Sequence, residues 1–516
     1  MWAYAATGRR PPCRILEPLM DAVAFVAKYC EPQGVANIAW AMGHMQQRGE
    51  ERALLALQDR AAMLFSLARR KPSAAPGGNL STHRQVGFGQ EGTTFNFKPQ
   101  EVAMFTWGMA SLQRLLPTEL LGELAQHAAQ QADAYNPWEL SNFTQSLALL
   151  CKKGQQMPDE LPLALEAIES AAARKLPAFK PQELSSLMEA SATLSRLIGV
   201  AKGQASAVRG TPVRGTFVGA VCDRLISDVQ DYRPQDLSAV LRSLATVRHL
   251  PDAPTVEALA SKLAQVREYQ LNDRALSGNL WALAQLNMHP GAPVLNGAVE
   301  ELIRRANDGM LSPTAAHETM WALAVFDALT PQTFSALARG SLVLHKHNRS
   351  SGDLHMVFQA AIELPDNAEL ADTAQRLLEA AREACRTPTE SAAGFQSYPH
   401  IVKDVSMVLR LLKLPHEKEM TVLFPHGSRV VNLLVRSSEG MDLALQVDGP
   451  LCFAANKPRA PLGGTVLRNR QLERAGLRVV SLSTAEWEAA VSLPERQKLL
   501  TALLFPGSNQ GDAQPQ

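Results

Sequence analysis

The feature that most restricts this chain is a fourteen-residue pattern that recurs eight times between residues 31 and 364. Its clearest copy is Asp273–Leu286, DRALSGNLWALAQL. Pro32–Met45, Pro99–Leu112, Pro137–Leu150, Pro181–Leu194, Pro234–Val247, Pro313–Phe326 and Ser351–Leu364 are the others. The starts are separated by 67, 38, 44, 53, 39, 40 and 38 residues. The longest intervals contain insertions, so the underlying period is about 38, the range of helix-pair repeats. Each interval has room for a second helix, such as 256–267 or 297–306. The chain therefore reads as mainly α: an α-solenoid of about eight helix pairs over residues 18–390, stacked in series.

Each copy carries its own helix start. Pro opens six of the eight, where the missing N–H costs the helix nothing. Phe97, Tyr135, Phe179, Tyr232, Leu271 and Leu311 stand two residues earlier, placed to staple against an apolar residue in the first turn. Glu101, Glu139, Glu183 and Asp236 put negative charge at the positive end of the helix dipole. Counting from the first residue, positions +3, +6, +7 and +10 form the apolar face. Position +9 is Ala, Gly or Ser in every copy, which permits close helix approach.

Two insertions, 70–94 and 199–215, are rich in Gly, Ser and Ala and read as mobile loops within the array. Residues 1–17 hold Arg9, Arg10 and Arg14 with no acid before Glu17, as in the remnant of an organelle transit peptide or a basic end without structure of its own. Net charge is +1, so any case for nucleic acid must rest on local clustering. The six cysteines lie far apart with no C-x₂-C pair, which argues against zinc or a disulfide framework and for a reducing compartment. No apolar run is long enough to span a membrane.

Positions +5, +8 and +12 lie away from the apolar face and vary most. A modular binder would place its reading residues there. The candidates are Asn37, Asn142, Gln145, Ser186, Glu189, Arg242, Gln285 and Glu318. Trp40, Trp107, Trp281 and Trp321 share position +8, where covering the seam between repeats is the simpler role and base stacking the alternative. The pattern resembles the octotricopeptide repeats of organellar RNA-binding proteins, and the helical region of the FAST-kinase family of mitochondrial RNA-processing proteins. The resemblance covers roughly residues 18–375.

Beyond Ala393 the period changes to short β-rich runs at 420–423, 430–435, 442–447 and 477–482. Helices at 400–413, 465–475 and 494–504 flank them. This predicts a small α/β domain over 395–506, followed by a disordered polar tail at 507–516. Between Asn456 and Arg478 six basic residues, Lys457, Arg459, Arg468, Arg470, Arg474 and Arg478, face one acid, Glu473. A loop and helix so charged suggest phosphate contact.

The segment resembles a RAP domain, an RNA-binding module, through Ala444-Leu445-Gln446-Val447-Asp448-Gly449-Pro450, Phe453, Leu462-Gly463-Gly464-Thr465, Leu467-Arg468, Leu472, Ala475-Gly476, Val479-Val480, Leu482 and Trp487. Cys452 and Arg468 stand where the family usually has His and Lys. RAP domains are similar to the PD-(D/E)xK nuclease fold, in which two strand carboxylates hold the metal that activates water. Here those positions are Asn432 and Gln446, whose amides lack the charge that holds Mg²⁺. Asp448 remains as a weak catalytic candidate in a turn-forming Asp-Gly-Pro.

Together the resemblances imply an organellar RNA-binding factor, mitochondrial in the first instance and otherwise chloroplast. It would bind single-stranded RNA without a cofactor or catalysis, and act in processing, stability or translation of mRNA or rRNA. Its partners would include other organellar RNA-processing or ribosome-assembly proteins. Two other classes compete: a metal-dependent endoribonuclease using Asp448, and a protein-interaction solenoid.

Overall fold

The computed structural model describes residues 1–9, 11–46, 51–70, 96–201, 212–265, 270–343, 351–386, 398–436 and 441–505. The expected loop at 70–94 lies outside the described residues apart from Arg70, and the tail at 507–516 lies wholly outside them. The second insertion is shorter than expected, because helices run to Ala201 on one side and begin at Pro212 on the other.

The described residues form two compact units, one reaching Arg224 and the other starting at Leu225. The helices of the first half are α1 (Trp2–Ala6), α2 (Cys13–Val26), α3 (Pro32–His44), α4 (Glu51–Arg70) and α5 (Pro99–Ser111). After them come α6 (Thr118–Gln131), α7 (Pro137–Lys152), α8 (Leu161–Arg174), α9 (Pro181–Ala201) and α10 (Pro212–Asp228). The second unit continues with α11 (Pro234–Val247), α12 (Ala253–Gln265), α13 (Asp273–Gln285), α14 (Ala292–Asn307), α15 (Pro313–Val325), α16 (Pro331–Val343), α17 (Ser351–Ala361) and α18 (Asp372–Arg386). The eight repeated segments are the odd-numbered helices from α3 to α17.

Within the first unit α3, α5, α7 and α9 pack successively on one another, with α4, α6 and α8 as a second layer. In the second unit α11, α13, α15 and α17 do the same beside α12, α14, α16 and α18. This is α-solenoid packing. The small residue at +9 serves it directly: a Cβ added to Gly108 would sit 2.3 Å from the Ala39 carbonyl oxygen.

The helix starts work as the residue types require. Glu101, Glu139 and Glu183 each accept the N–H of the residue three before them, at 2.8, 2.8 and 3.0 Å. Asp236 instead takes Arg233, at 2.8 and 3.0 Å. The six staple residues are all buried. A recurrent stop was not foreseen. Gln46, Gln113, Arg248, Asn287 and Asp327, all at +14, adopt positive φ between 54° and 59°. After α5, α11, α13 and α15 the next N–H bonds back to close a Schellman cap.

The N-terminal residues are not without structure of their own. Residues 2–6 form α1, which packs on α3, with Ala5 buried against Ala41 and Met45.

The last segment comprises α19 (Pro399–Leu411), β1 (His416–Phe424), β2 (Gly427–Val435), β3 (Leu443–Asp448), α20 (Gly463–Arg474), β4 (Arg478–Ser483), α21 (Thr484–Ala489) and α22 (Leu493–Leu504). Its sheet runs β1-β2-β3-β4, antiparallel except for the parallel β3–β4 pair that α20 connects. Ile401, Val405 and Leu409 of α19 and Leu500 and Leu504 of α22 cover one face with Trp487. On the other, Leu472 of α20 packs on Val431 and Ala444. The small α/β domain is therefore present, with every residue of β3 buried.

The described residues from Leu225 onward form one compact unit, in which the α/β domain docks on the second half of the repeats. Gly463 abuts the end of α13 so closely that a Cβ would lie 1.9 Å from the Ala284 carbonyl oxygen. Leu467 joins the core of the repeats. Glycine at 463 is what allows this approach.

Candidate nucleic-acid interface

The variable positions lie side by side, because like positions of successive repeats meet. Trp40 and Trp107, both +8, have ring centroids 6.4 Å apart. Trp321 donates its indole N–H to Gln359, the next +8 residue, at 3.0 Å. The tryptophans thus cover seams between repeats. Trp321 is only 5 % exposed, and Trp40 packs with Met1 and Tyr4 of the N-terminal segment against the cluster of Ala5, Ala41 and Met45.

In the first unit this surface is open from the second repeat onward. Gln145 and Glu189 are exposed, and Asn37, Asn142 and Ser186 are half-buried. None of these five side chains makes a hydrogen bond among the described residues. Trp138 and Leu149 add exposed apolar surface on the same face of α7. Positions +1, +5, +8, +12 and +15 share that face at 3.6 residues per turn.

Position +15 carries a signal that the repeat alignment missed. It is Arg114, Lys152 and Arg196 in the second, third and fourth copies, with Lys153 beside Lys152. Lys152 ends α7 and Arg196 lies within α9, each about 10 Å along the axis from Gln145 and Glu189. Lys152, Lys153 and Arg196 are exposed, while Arg114 is held by Glu51 at 2.6 and 2.8 Å. Amides and a carboxylate in mid-helix, next to cations one end along, form a surface with reading groups and phosphate partners.

In the second unit the same positions are occupied by the protein itself. Arg242 pairs with Glu318 at 3.1 Å, two repeats away, and its guanidinium lies 5.4 Å from the Trp281 ring centroid. Ser277 also donates to Glu318, at 2.8 Å. Arg242 passes over Gly278, where an added Cβ would stand 2.2 Å from its nitrogen. Gln285 is half-buried near the end of α13. Arg242 and Glu318 are thus structural, contrary to the expectation that they read a ligand.

The basic helix also departs from expectation. Arg468 is buried and forms a bidentate pair with buried Asp448, at 2.6 and 2.9 Å. Arg470 donates to the carbonyls of Ala324 and Val325 at the end of α15. These are last-turn carbonyls of α15, and a cation there faces the negative end of the helix dipole. Arg474 pairs with Asp327 at 2.8 Å and with Glu363. Arg468 is closed to solvent, whereas half-buried Arg470 and exposed Arg474 are already paired within the protein. The alternating charge of the sequence could not reveal this, because their acidic partners lie 20 to 147 residues away. Lys457, Arg459 and Arg478 remain exposed, with Arg459 3.2 Å from Glu486.

The nuclease-like positions do not suit a metal. Asn432 accepts the N–H of Val447 at 2.9 Å, and Gln446 donates to the Val430 carbonyl at 3.2 Å. Both amides are engaged by the sheet backbone. Burial raises the pKa of Asp448, but the charge and hydrogen bonds of Arg468 outweigh it and hold the carboxyl below its ordinary value. A buried carboxylate already neutralised by a bidentate guanidinium offers no uncompensated charge to hold a cation. Among the described residues no three His, Cys, Asp or Glu side chains gather as a metal site. Five cysteines, Cys30, Cys151, Cys222, Cys385 and Cys452, are free thiols, and no described helix is long and apolar enough to cross a membrane. No model of a known protein family matches the chain.

Proposed function

We propose that this protein binds single-stranded RNA along the open face of α5, α7 and α9, without cleaving it. The observation that carries the reading is the row of unpartnered reading groups, Asn142, Gln145, Ser186 and Glu189, flanked by Lys152, Lys153 and Arg196. Unstacked bases offer hydrogen-bonding edges to such groups, and their phosphates offer charge to the cations. The resemblance to octotricopeptide and FAST-kinase repeats and to RAP domains supports an organellar role in processing, stability or translation of mRNA or rRNA. The mitochondrion is the first expectation and the chloroplast the second. Occupying the RNA, and so shielding it or fixing its shape, is the mode of action. The locked Asp448 weighs against a metal-dependent endoribonuclease.

The test is binding of the full chain to a pool of single-stranded RNAs over a salt series. A sequence preference is expected. Replacing Lys153 and Arg196 together by Ala should lower the salt slope by about 1.4, at ~0.7 for each single-strand phosphate contact. No preference among RNAs, or an unchanged slope, overturns the reading. Co-purification with a protein and no nucleic acid would favour the interaction-scaffold alternative.

A further inference from the structure

The two units give the ends of their motif helices opposite treatment. At or near the ends of α5 and α7 stand Arg114, Lys152 and Lys153, and within the last turns of α9 stands Arg196. At the ends of α15 and α17 stand Asp327 and Glu363, which hold Arg470 and Arg474. The pairing extends along all four motif helices of the second unit. Past α11, Asn456 exchanges bonds with the Leu250 backbone at 2.8 and 2.9 Å, and Ala455 donates to the Arg248 carbonyl at 2.8 Å. Gly463 abuts Ala284 of α13. Arg470 caps α15, and Gln471 donates to the Gln359 carbonyl of α17 at 3.0 Å.

The geometry points to a division of labour within the repeats: RNA is read by the first unit alone, and the last four motif helices are the permanent seat of the α/β domain. Three independent features support it. The mid-helix groups of the second unit are spent on the Arg242–Glu318 pair and the Trp321–Gln359 bond. The ends of α15 and α17 carry Asp327 and Glu363, which already hold Arg470 and Arg474. The seat itself admits no looser fit, because the Gly463 backbone lies in contact with the Ala284 carbonyl. An RNA strand following the second unit would have to displace the paired Arg470 and Arg474 and then face uncompensated Asp327 and Glu363. The consequence is a short recognition element of roughly one nucleotide per open repeat, about three or four in all, rather than eight.

This inference rests on the RNA-binding reading, and one experiment separates the two. The full, unaltered chain is photo-crosslinked to RNAs selected from a random single-stranded pool, and the crosslinked peptides are mapped. Crosslinks are expected in α5, α7 and α9 and absent from α13, α15 and α17. As a second arm, Arg242→Met with Glu318→Leu replaces the buried pair by apolar side chains, an exchange often neutral for folding. Its RNA affinity should stay within about twofold, whereas Asn142→Ala with Gln145→Ala should weaken binding about tenfold, the effect of one or two lost hydrogen bonds. Crosslinks on α13, α15 or α17 overturn the division and leave the RNA reading standing. Failure of the unaltered chain to bind any RNA overturns both.

Discussion

Arg242 reaches Glu318 at 3.1 Å across an entire intervening repeat, and Gly278 is the residue that leaves it room. Two positions that look like independent reading residues are therefore one structural unit with a glycine between them. Glu318 is nearly buried, so removing its cation leaves a carboxylate with Ser277 as its remaining donor. We predict that Arg242→Ala lowers stability by about 3 kcal/mol. Gly278→Ala should also destabilise, although alanine is ~1 kcal/mol the better helix former. Combined, the two changes should cost no more than Arg242→Ala alone, because the alanine then has nothing to displace. Urea unfolding of the three variants measures this. Additive losses would show that the glycine serves some other purpose.

His127 of α6 joins the staple residues of two successive repeats. Its ring nitrogens lie 2.8 Å from the Phe97 carbonyl and 2.8 Å from the Tyr135 hydroxyl. A carbonyl only accepts, so Nε2 carries the proton and Nδ1 accepts from Tyr135. Burial lowers the pKa of His127, partly offset by the bond to Phe97. The folded protein thus resists a proton that the unfolded chain takes up near pH 6.5. The contribution is complete above that pH and is lost as pH falls below it. His127→Phe should be less stable at pH 7 by about 1–3 kcal/mol, having stranded two polar partners. The gap between variant and wild type should narrow by pH 5. A gap constant between pH 7 and 5 would contradict this account.

Asp448 illustrates a carboxylate whose charge is used for folding. Its pKa is lowered, so its stabilisation is present above the unfolded value of about 3.9 and disappears as pH falls through the folded one. Asp448→Asn should therefore weaken the fold at pH 7 by roughly 3 kcal/mol, leaving buried Arg468 without its counter-charge, and should flatten the loss between pH 5 and 3. Arg468→Lys should restore little, since a point charge cannot reproduce the fork. Urea midpoints across that range provide the measurement. Mg²⁺-dependent RNA cleavage abolished by Asp448→Ala in a folded variant would instead make the carboxylate catalytic.

The repeats were legible because their constraint is local. Pro at the start, an acid three residues on and an apolar spacing declare each motif helix within fourteen residues, and all eight form where expected. The strands of the α/β domain were legible for the same reason. What could not be read was the destination of long charged side chains. Arg470 reads as a solvated cation until α15 is folded and its terminal carbonyls stand opposite. Arg242 and Glu318 reach each other only when two further helices have stacked. The open face of α7 and α9 was found because Asn142, Gln145, Ser186 and Glu189 depart from the repeat without a partner. The cations at +15 were overlooked because they fall just beyond the fourteen-residue pattern.

Glu189 makes the sharpest statement about the ligand. It is exposed on α9, three residues after Ser186, and has no hydrogen-bond partner among the described residues. An ionised carboxylate only accepts hydrogen bonds. Guanine alone among the bases presents two adjacent donors on its Watson–Crick edge, N1–H and the N2 amine, matching both carboxylate oxygens. The other bases would set at least one acceptor against the charge. We predict that the fourth repeat selects guanine, with a bidentate contact worth about 1–3 kcal/mol of discrimination. Glu189→Gln, which exchanges one acceptor for a donor, should cut the preference for guanine about tenfold. It should leave the salt slope unchanged, since phosphate contacts lie elsewhere. Fluorescence anisotropy with oligonucleotides varied at one position gives both quantities. A guanine preference that survives Glu189→Gln would remove this residue from the reading set.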